Sequence, residues 1–130
     1  MSTREVVDRV YDALRHGDRD GLVALLDPDV EVWFTAGLPA PIGGDHHGVT
    51  SCIDDGWWAI GARYAVRAHR ETFVPGTDGS LLVLGTYHGT ERASGRGIDA
   101  GFAHHWTVDG ERVTSLRQYT DSAAWLGVDA

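Results

Sequence analysis

The chain has 130 residues, the length of one domain, and its composition of 42% hydrophobic and 23% charged residues is typical of a globular protein. Eleven basic residues stand against 19 acidic ones, for a formal net charge of −8, and all the basic residues are arginines because the sequence contains no lysine. These counts exclude a Schiff-base lysine and a Walker-type phosphate lysine, and they leave no basic surface for nucleic acid or for an anionic membrane.

The cysteine content and the hydropathy of the chain limit its environment. Cys52 is the single cysteine, so no internal disulfide can form, and the first ten residues contain no apolar run of signal-peptide length. No stretch approaches the ~18 consecutive apolar residues of a membrane span. We therefore expect one cytoplasmic domain over residues 1–130, large enough to bury a core around one modest cavity.

Two helices are predicted at the start of the chain. Ser2 and Glu5 have the spacing of a capping box, and apolar residues then recur at helical spacing as far as Gly17. Asp18 caps a second, short helix that ends before Pro28, because proline cannot donate the next helical hydrogen bond.

A strand, a long loop and a third helix follow. The apolar residues of 30–34 predict a short strand, and the proline and glycine residues of 35–48 predict a loop. Loops of this length are often functional. The third helix is capped by Thr50 or Ser51 and stops near Gly61.

The second half of the chain has the texture of a β-meander. Four segments rich in β-branched and aromatic residues are separated by glycine-containing turns, and they cover residues 64–73, 81–89, 98–108 and 112–120. Helices followed by hairpin-linked strands predict an α+β fold, in which helices cover one face of a strongly bent antiparallel sheet of four or five strands and enclose a pocket.

Five short strings, in this order, resemble one known family. They are the segments 13–18, 26–30, 44–49, 102–106 and 116–121. Over nearly its whole length the chain resembles the SnoaL-like branch of the nuclear transport factor 2 superfamily, which includes ketosteroid isomerase and limonene epoxide hydrolase. The resemblance implies a cone-shaped curved sheet with three helices, a mostly apolar pocket, no metal, no organic cofactor and a homodimer. It leaves the activity open, because this fold hosts isomerases, cyclases, dehydratases, hydrolases and binding proteins.

The last hairpin has two possible registers, which present different side chains to the pocket. A two-residue turn at 109–110 places His104 on one face with Arg117 and Tyr119, whereas a three-residue loop at 109–111 places it with Gln118. The resemblance favours the second register and puts Gln118 where SnoaL-type cyclases and limonene epoxide hydrolase carry a catalytic aspartate.

The resemblance also implies what is missing. The arginine and second aspartate of limonene epoxide hydrolase match Gly85 and Tyr87, and the tyrosine and two aspartates of ketosteroid isomerase match Val10, Phe34 and His104. We therefore regard epoxide hydrolysis as the less favoured chemistry.

Four residues are candidates for catalysis. His104 matches a pocket histidine of the cyclases, and its ordinary pKa suits it to acid/base work, although a core histidine bonded to a backbone carbonyl is an equally good interpretation. Tyr87 and Gln118 would hold a carbonyl or enolate oxygen. Asp121 is better explained as the cap of a terminal helix containing Trp125, and only secondarily as a catalytic base.

Aromatic and apolar residues are the candidates for substrate binding. Periodicity places one of Trp57 and Trp58 inside, and the predicted wall consists of Phe34, Trp57 or Trp58, Phe102, Trp106, Leu116 and Thr120. His46 and His47 lie in the long loop without a cysteine or carboxylate cluster, so we predict no metal site.

The sequence predicts an enzyme that moves protons on a small carbonyl-bearing, apolar or aromatic substrate, by cyclisation, isomerisation or dehydration. His104 would be the acid/base. The alternative is a ligand carrier without catalysis, favoured by the missing carboxylate at position 118. A weaker alternative takes Asp121 or Asp45 as the base.

Overall fold

Six strands form one curved, mixed sheet in the computed structural model, which describes residues 1–128. The strands lie in the order β2-β1-β6-β5-β4-β3. Their bounds are Leu26–Phe34 (β1), Gly44–His47 (β2), Tyr64–Pro75 (β3), Ser80–Glu91 (β4), Gly97–Asp109 (β5) and Arg112–Thr120 (β6).

The helices begin and end largely where the sequence predicts. They are Thr3–His16 (α1), Arg19–Leu25 (α2), residues 49–63 (α3) and Ser122–Leu126 (α4). The Ser2–Glu5 capping box, the Asp18 cap and the Asp121 cap are all present, and Gly17 ends α1 in the left-handed conformation at φ 63°. None of the helices in residues 1–128 is long and apolar enough to cross a membrane.

Helix α3 contains an irregular turn. Its outer parts, Val49–Ser51 and Trp58–Arg63, are α-helical, whereas Cys52–Trp57 forms a π-helical turn. A π turn widens the helix and changes the direction in which the following side chains point. Both Trp57 and Trp58 are consequently half-buried, whereas regular helical phase predicts only one of them inside.

The predicted α+β class and the helix-covered curved sheet are confirmed, with differences in the sheet. It has six strands rather than four or five, because β2 lies inside the predicted loop and pairs antiparallel with β1. It is also mixed rather than wholly antiparallel, since β1 pairs parallel with β6. That pair joins the first strand to the last, a contact that no local turn signal reports.

The β5–β6 hairpin has the register in which His104 and Gln118 are partners, as the resemblance favours. The turn that produces this register differs from both predicted turns. It consists of Gly110 and Glu111, and the strand pairing shifts by one residue between Thr107 and Val108. This β-bulge adds one residue on β6 and so restores the phase that a three-residue loop would give.

The core lies between the inner face of the sheet and the helices. Val6, Val7 and Val10 of α1 are fully buried, as are Val83 and Val113 of the sheet. Trp125 of α4 covers the inner face near β3 and β4, and its ring packs edge-on against Tyr64 at 4.8 Å and Tyr87 at 5.0 Å.

Candidate functional site

A cavity of about 680 Å³ lies between α1, α3 and the inner face of the sheet. Its inner end is formed by the buried residues Tyr11, Tyr87, His104 and Trp106, and its rim by exposed residues of α1, α3 and β3. The inner end therefore carries three polar groups on an otherwise aromatic and apolar surface.

His104 is the centre of the polar groups at the inner end. Its Nδ1 lies 2.6 Å from the hydroxyl of Tyr11, and its Nε2 lies 2.8 Å from the hydroxyl of Tyr87. The ring of Phe102 stacks on the imidazole at 4.0 Å. Both imidazole nitrogens thus face tyrosine hydroxyls, and within residues 1–128 neither is bonded to a backbone carbonyl.

The tautomer of His104 follows from the orientation of the Gln118 amide. The amide nitrogen of Gln118 can only donate, and it lies 3.2 Å from Nε2 and within hydrogen-bond distance of the Tyr87 hydroxyl. With the Gln118 nitrogen on this side, His104 Nε2 is the acceptor and Tyr87 donates to it. In that tautomer the imidazole proton lies on Nδ1, which donates to the Tyr11 oxygen.

In this tautomer the hydroxyl proton of Tyr11 is left for the cavity. The Tyr11 oxygen accepts from His104 Nδ1 and also from Trp106 Nε1 at 3.0 Å. Both of its lone pairs are used, and its own hydroxyl proton has no acceptor within residues 1–128. Two accepted hydrogen bonds polarise the hydroxyl, so Tyr11 is a strengthened donor in the cavity lining.

Burial keeps all three groups neutral at physiological pH. Desolvation lowers the pKa of His104 from 6.5 to about 3, because the charged imidazolium is disfavoured in this apolar site. Desolvation likewise raises the pKa of Tyr11 and Tyr87 well above their ordinary value. Neither an imidazolium nor a tyrosinate is a stable state here, which favours chemistry that moves protons without building up charge.

Gln118 lies behind Tyr87 and His104 and outside the cavity lining. It is 2% exposed, and its Oε1 has no hydrogen-bond partner in the described part of the chain. Its amide contacts the Tyr87 hydroxyl and His104 Nε2 and not the cavity, which differs from the prediction that it would hold a substrate oxygen.

The predicted aromatic wall is divided by the structure. Trp57, Trp58, Trp106 and Leu116 line the cavity. Phe34 does not, because it is fully buried behind Trp57, with the ring centres 6.1 Å apart.

Other predicted residues lie nearby but serve the framework. Phe102 supports His104 from outside the cavity, and Thr120 donates to the Gly101 carbonyl at 2.7 Å while accepting from Trp125. Asp121 caps α4 through the Ala124 amide.

The histidines and the aspartate of the long loop lie apart from the cavity lining. His46 is buried and its Nε2 lies 2.7 Å from the Ile42 carbonyl, whereas His47 and Asp45 are exposed. Within residues 1–128 no three His, Cys, Asp or Glu side chains are grouped so that they could hold a metal ion.

Sequence reasoning did not identify most of the cavity lining, which includes Tyr11, Tyr64 and Arg70. Tyr11 belongs to the apolar stripe of α1, and periodicity shows that it is buried without showing what its hydroxyl meets. The usable signal was that a tyrosine stands among valines, since a buried phenol needs a hydrogen-bond partner.

Comparison with known proteins identifies the family. A model described as the SnoaL-like domain matches residues 7–116. The chain belongs to the SnoaL-like family. It matches no curated protein.

Solved structures agree with this fold. A nuclear transport factor 2-like protein of unknown function from Burkholderia pseudomallei is 27% identical, with a TM-score of 0.87 and 98% of each chain covered. TerC, co-crystallised with polyporic acid, is 22% identical, with a TM-score of 0.85 and coverage of 97% of this chain and 96% of that one. A putative SnoaL-like polyketide cyclase from Jannaschia sp. is 18% identical, with a TM-score of 0.81 and coverage of 97% and 90%.

Proposed function

We propose that this SnoaL-like chain is a cofactor-free enzyme that transfers protons on an apolar, carbonyl-bearing substrate, in a cyclisation, isomerisation or dehydration. The observation that carries the proposal is the chain of hydrogen bonds Tyr11–His104–Tyr87 at the inner end of an aromatic cavity. Such a chain links two points on one ligand, a carbonyl oxygen at Tyr11 and an adjacent C–H group at Tyr87.

Proton transfer would run through this chain in one direction. The C–H bond next to the carbonyl breaks and its proton goes to the Tyr87 oxygen, while the Tyr87 hydroxyl proton moves to His104 Nε2. His104 Nδ1 passes its proton to the Tyr11 oxygen, and Tyr11 gives its hydroxyl proton to the carbonyl oxygen. The product is the enol, and each residue is neutral before and after the transfer.

The surroundings support a neutral relay. The depressed pKa of His104 and the raised pKa values of both tyrosines oppose any step that leaves a charge on one of them. In the starting tautomer one lone pair of the Tyr87 oxygen accepts from Gln118, which leaves the other for the incoming proton. His104 thereby acts as acid and base at once, through different nitrogens.

The walls of the cavity indicate the kind of substrate. Trp57 and Trp58 make one side of the cavity aromatic, and Trp106 does so at the inner end. Flat, ring-containing carbonyl compounds pack well against such surfaces. The fold relative described as a putative polyketide cyclase points toward the same class.

A ligand carrier is the second candidate. It is favoured by one observation: among residues 1–128, Asp12 at the exposed rim is the only carboxylate that lines the cavity, and the inner end formed by these residues holds no strong base. A carrier would bind aromatic ketones without changing their protons.

Hydrogen exchange distinguishes the two candidates. The protein is incubated with 2-acetonaphthone in D₂O, and loss of the methyl signal is followed by proton NMR. We expect exchange above the buffer rate and a loss of roughly 10²-fold in Tyr11→Phe, since one positioned donor contributes about that much. The matched control is Tyr119→Phe, because Tyr119 is exposed on the opposite face of the sheet. Binding without exchange in the wild type would refute the enzyme and support the carrier.

A further inference from the structure

The ratio of basic to acidic residues at the rim of the cavity differs from that of the whole chain. The whole chain carries 11 basic and 19 acidic residues, yet three arginines and one acidic residue border the cavity. Of these, Arg67 lies on the outer face of β3, where it pairs with His88, so its side chain points away. The charged side chains that remain at the rim are Asp12, Arg15 and Arg70.

Arg70 is held in position between the rim and the catalytic groups. Its guanidinium carbon lies 4.5 Å from the centre of the Tyr11 ring, and its Nη1 donates to Asp8 at 2.8 Å. The side chain is 29% exposed. A guanidinium that is both stacked and hydrogen-bonded loses little further freedom when it binds a ligand.

The ion pair with Asp8 leaves N–H groups of the Arg70 guanidinium available for a ligand. Asp8 is shared, because it also forms an ion pair with Arg4 at 3.3 Å. Within residues 1–128 the Nε and Nη2 groups of Arg70 make no hydrogen bond, and Arg15 makes no ion pair. The rim thus presents guanidinium N–H groups that are free to bind an anion, in an acidic protein.

We propose that the natural ligand carries a carboxylate, which Arg70 binds, with Arg15 adding to the positive charge at the rim. Guanidinium N–H groups match a carboxylate in geometry, and partial burial strengthens the attraction. The Tyr11 hydroxyl lies at the end of the ring on which Arg70 stacks, so one bicyclic ligand can reach both groups. The substrate class is then an aromatic or polycyclic keto acid. The position of its carbonyl rests on the proposed function, whereas the anion site rests on Arg70 alone.

Binding of two matched probes tests the anion site. Dissociation constants of 6-acetyl-2-naphthoic acid and of neutral 2-acetonaphthone are measured by quenching of tryptophan fluorescence. We expect the acid to bind about tenfold more tightly, which is about 1.4 kcal/mol, and this preference to decrease at high salt. Arg70→Gln should bring the two constants within about twofold of each other, chiefly by weakening the binding of the acid.

The matched control is Arg67→Gln, which removes an equal charge from the outer face of the same strand and should keep the preference. Should Arg70→Gln fail to fold, the salt dependence of the wild type remains as the test. Equal affinity for the two probes, a preference that ignores salt, or a preference that survives Arg70→Gln would overturn the anion site. The proposed function would stand in those cases if hydrogen exchange persists. If the wild type prefers the acid but does not catalyse hydrogen exchange, the proposed function alone is overturned. If neither probe binds, both the anion site and the proposed function are overturned.

Discussion

The protonation of His104 links the site to the stability of the protein. Its pKa is about 3 in the folded protein against an ordinary value of 6.5, because burial disfavours the imidazolium. Between these values the unfolded chain binds the proton and the folded protein does not. Above about pH 6.5 the protonation of His104 therefore has no effect on the free energy of unfolding. As the pH falls from 6.5 toward 3, this free energy decreases by up to about 1.4 kcal/mol per pH unit.

Replacing His104 by phenylalanine should remove this dependence. Urea unfolding of the wild type and of His104→Phe, measured at several values between about pH 5 and pH 7, gives the free energy of unfolding of each. We expect the wild type to lose stability relative to the variant as the pH is lowered, because only the wild type has this histidine to protonate on unfolding. Parallel pH profiles would show that His104 is not desolvated in the folded protein.

At the scale of elements, the π turn of α3 positions the tryptophan wall. Gly56 lies in this turn, and a methyl group there would be 2.7 Å from Cε2 of Phe34. Since Phe34 is fully buried and cannot move freely, Gly56→Ala should destabilise the protein by about 1–3 kcal/mol.

Gly61 is the matched control in the same helix, because a methyl group there meets nothing within 4 Å. Gly61→Ala should stabilise by about 0.5–1 kcal/mol through its better helix propensity. Thermal unfolding of both variants decides the point. A Gly56→Ala protein as stable as Gly61→Ala would contradict the packing of the π turn against Phe34.

Substitution of Asp121 distinguishes its role as the cap of α4 from a catalytic role. Its carboxylate accepts from the Ala124 amide as the N-cap of α4, and it lies outside the cavity lining. Asp121→Ala should therefore cost about 1 kcal/mol of stability and leave hydrogen exchange of 2-acetonaphthone unchanged. Reduced exchange without a lower melting temperature would instead assign Asp121 to the chemistry.

Local signals predicted the elements well and the site only in part. Capping residues such as Ser2, Asp18 and Asp121 act over a few positions, so the sequence shows them directly. The parallel pairing of β1 with β6 and the π turn depend on distant contacts and were not predictable. The register that joins His104 to Gln118 came from the family resemblance rather than from the turn, which is built differently from either alternative.

At the scale of the whole molecule, the site exists only when distant parts of the chain meet. Tyr11 comes from the first helix, Tyr87 from β4 and His104 from β5, and α3 supplies the wall opposite. The fold thus brings together groups that are up to 93 positions apart in sequence. The homodimer that the family resemblance implies stays a prediction.

The central claim is that His104 relays a proton between Tyr11 and Tyr87, and one pair of measurements on His104→Ala tests it most directly. Hydrogen exchange of 2-acetonaphthone and its dissociation constant are measured for the variant and the wild type, with the fold checked by circular dichroism. We expect the exchange rate to fall roughly 10²–10⁴-fold while the dissociation constant stays within about tenfold, because a proton-transferring group acts mainly in the transition state. Exchange at the wild-type rate in a correctly folded His104→Ala protein would contradict the relay.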